Sequence, residues 1–190
     1  EVLGIDPASG PARVAINAGV PTIIEFFGAD IARRLHRRGK IADVVVANNM
    51  INLVSDLTGF AQALCMLMKK DGIAVLEVPY LVDMIDQCAF DNIFHQNISY
   101  FSVNAMKSLF ESHALVITDI ERVPTFGGSL RLFIEHRGET TPRVAELIAK
   151  EEDRGVETIE FYRSFRRRVA AVKQELQNMI SDLRQRGNRI

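Results

Sequence analysis

The residues best equipped for chemistry are concentrated in one run, Phe90-Asp91-Asn92-Ile93-Phe94-His95-Gln96-Asn97-Ile98-Ser99-Tyr100-Phe101-Ser102. It holds a single histidine, His95, between Phe94 and Gln96. Imidazole titrates near neutral pH and can act as a general base there. Side-chain amides such as Gln96 and Asn97 both donate and accept hydrogen bonds, and aromatic rings offer flat apolar walls. The run is too polar and too aromatic to be core packing throughout. It reads as the wall of a substrate pocket, with His95 as candidate base and Phe94, Gln96, Asn97 and Tyr100 as candidate substrate contacts. A purely structural histidine, and core roles for Tyr80 and Tyr100, remain open on these grounds.

Such a wall needs strands to carry it. Val2–Ile5 and Thr22–Phe26 read as short strands. Ala42–Ala47 is a continuous apolar run of the kind buried on both faces of a parallel sheet, and Ile73–Val78 is a further buried strand after a turn at Asp71-Gly72. Helical spacing over Ala8–Ala18, Ala29–Arg38 and from Ser55-Asp56 to Met68 alternates with them. The pattern predicts a doubly wound α/β sheet, in which ligands sit beyond the carboxyl ends of the strands. Three strand ends carry polar or special residues: Asp6, Asn48-Asn49, and Glu77 with Pro79-Tyr80. A carboxylate at Asp6 suits a ribose diol, and Asn49 and Tyr80 join the candidate substrate contacts. Asn104–His113 reads as a helix. Leu115–Arg122 and Ser129–Glu135 read as an antiparallel edge pair around Pro124–Gly128. Gly127-Gly128-Ser129-Leu130-Arg131 could let backbone approach a ligand, with Arg131 clamping an anion, or could be a plain hairpin turn.

The 190 residues carry a net charge of -1, which argues against whole-chain attraction to nucleic acid. Residues 1–142 are acidic overall and residues 143–190 basic, marking a change of architecture near Pro142. The expected division is a core at 1–141 and a helical extension at 142–190. From Val156 onward Tyr162, Phe165, Val169, Val172, Leu176, Met179 and Leu183 form a heptad-like seam. One long helix there should pack on another domain or subunit, with Arg166-Arg167-Arg168 on its solvated face. No apolar run approaches a membrane span. Cys65 and Cys88 lack metal spacing and read as buried reduced thiols, consistent with a cytoplasmic setting. His36, His95, His113 and His136 are scattered, so no metal cluster is expected. The chain starts without Met inside an apparent strand and stops without a polar tail, as a piece of a longer protein would.

Ala47-Asn48-Asn49, Glu77-Val78-Pro79-Tyr80, the run Phe90–Ser102 and Gly127–Arg131 occur in an order and spacing that resembles the S-adenosylmethionine-dependent sugar C-methyltransferases acting on nucleotide-linked keto-deoxysugars. The resemblance covers nearly the whole chain. It implies a class I methyltransferase (Rossmann-like) sheet lacking its first strand, because that strand and its glycine-rich cofactor loop would precede Glu1. A zinc-binding N-terminal domain and a second Rossmann-like C-terminal domain would also lie outside the chain. Asp6 would bind the ribose of S-adenosylmethionine, with Ala47 and Asn48 beside its methionine part. The substrate would be a small molecule such as a nucleotide sugar.

This sequence departs from the family at its centre. Where the family reads Tyr-His-Glu-His, this chain has Phe94-His95-Gln96-Asn97, and a histidine after the paired asparagines is Leu53 here. The proposed base falls on Asn97, whose amide has no useful basicity. Three readings follow: His95 is the base, the acceptor atom differs, or the protein binds without catalysing. A nucleotide-sugar binding module and a dinucleotide-dependent oxidoreductase domain are the alternatives to methyl transfer.

Overall fold

The computed structural model describes residues 1–189. Strand β1 (Gly4–Ile5), helix α1 (Ser9–Asn17) and strand β2 (Thr22–Ile23) form a βαβ unit with parallel strands. Helix α2 (Ala29–Arg37) turns Ile31, Ala32 and Leu35 inward, where they meet Ala63 and Leu67 of helix α3 (Leu57–Leu67). The start of α3 is set by Asp56, whose Oδ1 accepts the Gly59 N–H at 2.8 Å.

The larger sheet contains β3 (Ala42–Asn48), β4 (Met68–Pro79), β5 (Val116–Val123) and β6 (Ser129–Glu135), ordered β3-β4-β6-β5. β3 and β4 are parallel, whereas β6 is antiparallel to both of its neighbours. The β5–β6 link is too short for a crossover and makes a hairpin. Of this hairpin, β6 therefore sits inside the sheet and β5 lies at its margin, with β3 at the opposite edge. Asp71-Gly72 does not end a turn before a new strand. It lies within the long β4, where the register against β3 shifts between Ala42 and Val44.

β3 departs from the expectation of burial on both faces, since Val44 is 55% and Val46 63% exposed. The reason is pairing: among the described residues β3 pairs only with β4, and β1 only with β2. The parallel strands thus fall into two pieces, each with an unpaired edge.

The main core is built from Phe60 and Leu64 of α3, Leu76 and Val78 of β4, Leu132 of β6, and Phe110 of helix α5 (Val103–Glu111). It also takes in Val144 from helix α6 (Pro142–Asp153) and Val156 just after it. α6 therefore packs into the body, and the helix that leaves the body is α7 (Ile159–Gln185). α7 has 27 residues, spans about 40 Å at the usual rise per residue, and buries no side chain fully. Its seam residues Val172, Leu176 and Met179 are exposed. Arg168 does not simply face solvent. It donates to the Ile85 and Asp86 carbonyls at 2.6 and 3.1 Å, capping the end of helix α4 (Leu81–Asp86).

Both thiols are free and half-buried, and Cys88 lies past the end of α4 with a positive φ of 53°. Among the described residues no helix is long and apolar enough to cross a membrane.

Candidate active site

A cavity of about 240 Å³ opens beyond the carboxyl ends of β3 and β4. Asn49 follows β3 directly and has φ 52°, a left-handed conformation that asparagine tolerates better than most residues. Its backbone N–H donates to the Glu77 carbonyl at 2.7 Å, fixing the end of β3 against β4. Across the floor, Tyr80 N–H donates to the Gly128 carbonyl at 3.0 Å, which brings the β5–β6 turn and Phe126 to the rim.

The opposite wall is the run that follows α4. Phe90–Asn92 forms a 3₁₀ turn, and the Asn97 N–H donates to the Phe94 carbonyl at 3.0 Å, closing a tight turn with His95 and Gln96 at its corner. Asn52 holds the wall in place: its carbonyl accepts Ile98 N–H at 2.8 Å and Ser99 N–H at 3.2 Å. Its side-chain Nδ2 donates to Asn97 Oδ1 at 2.7 Å. The Tyr100 hydroxyl donates to the Asn92 carbonyl at 3.2 Å.

Residues 1–119 match the family model described as a methyltransferase domain, and residues 124–190 match that of the C-methyltransferase C-terminal domain. The chain belongs to the methyltransferase family. It is 32% identical over 182 residues to the C-methyltransferase NovU of Streptomyces niveus, covering 94% of this chain and 43% of that protein. It thus spans less than half the length of that curated relative. Solved SAM-dependent methyltransferases from Anabaena variabilis and Thermotoga maritima share the fold. Their TM-scores are 0.56 and 0.55, each at 13% identity over 72% of this chain, covering 68% and 73% of theirs. The methyltransferase chain therefore has the class I α/β architecture, with its mixed sheet and long terminal helix.

Six candidates converge in the cavity: Asn49, Tyr80, Phe94, Gln96, Asn97 and Tyr100. His95 does not. It occupies the corner of the Phe94–Asn97 turn, is exposed, and is not among the lining residues. Arg131 also lies outside the lining. Its guanidinium donates to Glu77 Oε2 at 3.2 Å and Glu121 Oε2 at 3.4 Å, so its charge is balanced by two carboxylates and is not offered to an anion. Glu77 in turn accepts the Thr125 hydroxyl at 2.7 Å, so this strand-end carboxylate ties β4 to β6 and the turn.

Asp6, Ala47 and Asn48 sit outside the cavity, at the carboxyl ends of β1 and β3. Asp6 Oδ1 accepts the Ala8 N–H at 2.7 Å, and its second oxygen has no partner among the described residues. A carboxylate oxygen left free at a strand end fits the hydroxyls of a cofactor ribose.

Tyr80 lines the cavity while its hydroxyl donates to Glu151 Oε1 at 2.8 Å. Burial, reinforced by the charge of Glu151, pushes its phenol well above the ordinary range. Tyr80 is thus a wall, and its proton is held elsewhere.

Two residues escaped the sequence reading. Asn52 lies close after Asn48-Asn49, and a third amide so near was a usable signal. Glu151 is 1% exposed and accepts the Val103 and Asn104 N–H groups at 2.7 and 3.0 Å besides the Tyr80 hydroxyl. Nothing local in its sequence marks it, because all its partners come from elsewhere in the chain.

Proposed function

We propose that this chain is the catalytic core of an S-adenosylmethionine-dependent methyltransferase acting on a nucleotide-linked sugar or a similar small molecule. The observation that carries the reading is the cavity at the carboxyl ends of β3 and β4, where α/β sheets hold ligands, in a chain of the methyltransferase family. S-adenosylmethionine, when bound, supplies a sulfonium methyl group. Asp6 would hold its ribose, and Ala47 and Asn48 would border its methionine part. Phe94, Gln96 and Tyr100 would orient the acceptor, so that proximity and alignment provide most of the rate enhancement. The unpaired edges of β1 and β3 support a further strand between them, as the family resemblance implies. The exposed seam of α7 supports packing against another domain or subunit, and two free thiols accord with a cytoplasmic location.

A second reading has its own support. Among the described lining residues there is no carboxylate, imidazole or amine, and the Asn97 amide is bonded on both sides. Such a cavity favours an acceptor from which the protein need not remove a carbon-bound proton, or binding without turnover.

Titration of the full-length protein with S-adenosylmethionine in a calorimeter tests the cofactor. Binding is expected, weakened about tenfold or more by Asp6→Ala through loss of charge-assisted hydrogen bonds. No heat in the wild type sinks the proposal. Mass spectrometry after incubation with nucleotide-linked sugars separates the two readings, since a binding module gives no methylated product.

A further inference from the structure

The stretch from the end of α6 to the root of α7 grips one short piece of the cavity wall at both ends. At the near end, Glu151 of α6 holds the Tyr80 hydroxyl. At the far end of α4, Arg154 pairs with Asp86, its Nη1 donating to Oδ2 at 2.8 Å. Arg168 of α7 donates to the Ile85 and Asp86 carbonyls at 2.6 and 3.1 Å. Arg154 also lies 5.3 Å from the centroid of the Phe161 ring, which ties the end of α6 to the first turn of α7. A helix of six residues has little stability of its own, so such contacts decide where α4 lies. Between the two anchors α4 carries Met84 into the cavity lining. The Met84 carbonyl accepts the Ala89 N–H at 2.9 Å, where the chain turns towards the Phe90–Ser102 wall. Just past α4, Gln87 donates to the Gly127 carbonyl, on the turn that brings Phe126 to the rim. β5 adds a tie of its own, from Arg122 to Asp83, so α4 is bound to the sheet as well as to α7.

We propose that α4 is a relay through which the orientation of α7 sets the position of the cavity wall, with Arg154 and Arg168 as positioning residues for Met84. This rests on the cavity being the acceptor pocket of the methyltransferase reading. α7 is suited to be the input because it leaves the body with Val172, Leu176 and Met179 exposed, so packing does not lock its outer part. Its grip on α4 consists of hydrogen bonds and an ion pair, whose strength depends on angle and distance. Tilting α7 therefore pulls on the carboxyl end of α4 and, through it, on Met84. The coupling is reciprocal: whatever displaces Met84 also changes how firmly the root of α7 is held. Alignment supplies much of the rate in such a site, and a displacement of about 1 Å is enough to cost about a hundredfold in turnover. An anchor that merely fastened α7 would behave differently, since loosening it would free the helix and leave Met84 in place.

The test uses the full-length protein with isotope-labelled methionine methyl groups, observed by NMR. The Met84 signal is assigned by its loss in Met84→Leu. Arg168→Ala and Arg154→Ala are each expected to move that signal, while Met106, fully buried in the main core, stays unmoved as the reference. In the reverse direction, Met84→Ala should speed amide hydrogen exchange in the first turns of α7 about fivefold, the lower range of coupling between sites. Adding Arg168→Ala to Met84→Ala should then accelerate that exchange less than Arg168→Ala does alone, because both changes break one link. The relay is overturned if the Met84 signal stays put in either arginine variant, if Met106 moves as far as Met84, or if Met84→Ala leaves exchange in α7 unchanged. S-adenosylhomocysteine titrated into the same samples keeps the two claims apart. Its failure to bind sinks the methyltransferase reading, whereas the Met84 signal decides the relay whether or not it binds.

Discussion

The Tyr80 hydroxyl donates to Glu151 Oε1 across 2.8 Å, joining the end of β4 to α6. Glu151 also accepts the first two N–H groups of α5, which are otherwise unpaired at a helix start. One buried carboxylate thus binds the cavity floor, the helix after the cavity wall, and the segment beyond Pro142 into a single unit.

Replacing Glu151 should therefore be costly. Glu151→Ala leaves two backbone donors and a phenol buried without partners, and is expected to lower unfolding stability by about 3 kcal/mol or more. Glu151→Gln keeps an acceptor oxygen and should cost roughly half as much. Urea unfolding followed by far-UV circular dichroism measures both. Equal stability of Glu151→Ala and wild type would contradict the geometry.

The same contact sets an alkaline limit. The folded protein retains the Tyr80 proton above pH ~10, where an unfolded chain releases it. The contribution is complete below that pH and falls as pH rises, by at most about 1.4 kcal/mol per unit. Tyr80→Phe, although less stable at neutral pH, should show a flatter decline between pH 10 and 11 in thermal melts.

His95 offers a sharp contrast with the sequence expectation. Because its ring is exposed and outside the cavity lining, His95→Ala should leave any turnover by the full-length protein within about twofold of wild type. General bases contribute about a hundredfold or more, so a loss of that size in kcat would restore His95 as the base.

α7 is anchored at its root by Arg168 on the carbonyls ending α4, and by an ion pair between Arg154 and Asp86 nearby. Arg168→Ala should weaken this anchoring by about 1 kcal/mol. It should speed amide hydrogen exchange in the first turns of α7 while leaving the core strands unchanged. Unaltered exchange in α7 would show that the cap does not hold the helix.

The unpaired edge of β3 has an equally direct readout. In this chain alone, alternate amides of β3 point away from β4 and should exchange rapidly. In the full-length protein they should be protected if a further strand lies between β1 and β3. Rapid exchange in both would exclude that strand.

Much of this was written in the sequence because it depends on neighbours along the chain. The order of helices and strands, the Asp56 cap, the β5–β6 hairpin and the polar strand ends all follow from local periodicity and turn chemistry. Six of the candidate contacts did meet in one cavity: Asn49 and Tyr80 because residues just past parallel strands share one end of a sheet, and Phe94, Gln96, Asn97 and Tyr100 because they are near neighbours in one run. What the tertiary structure decided concerns partners distant in sequence. Arg131 could look like an anion clamp until Glu77 and Glu121 were found beside it. His95 could look like a base until the Phe94–Asn97 turn carried it to the corner. Glu151 became a buried hub only because Tyr80, Val103 and Asn104 converge on it. A side chain's type is a property of the sequence, but whether its charge, proton or lone pair remains available is set by whatever the fold places against it.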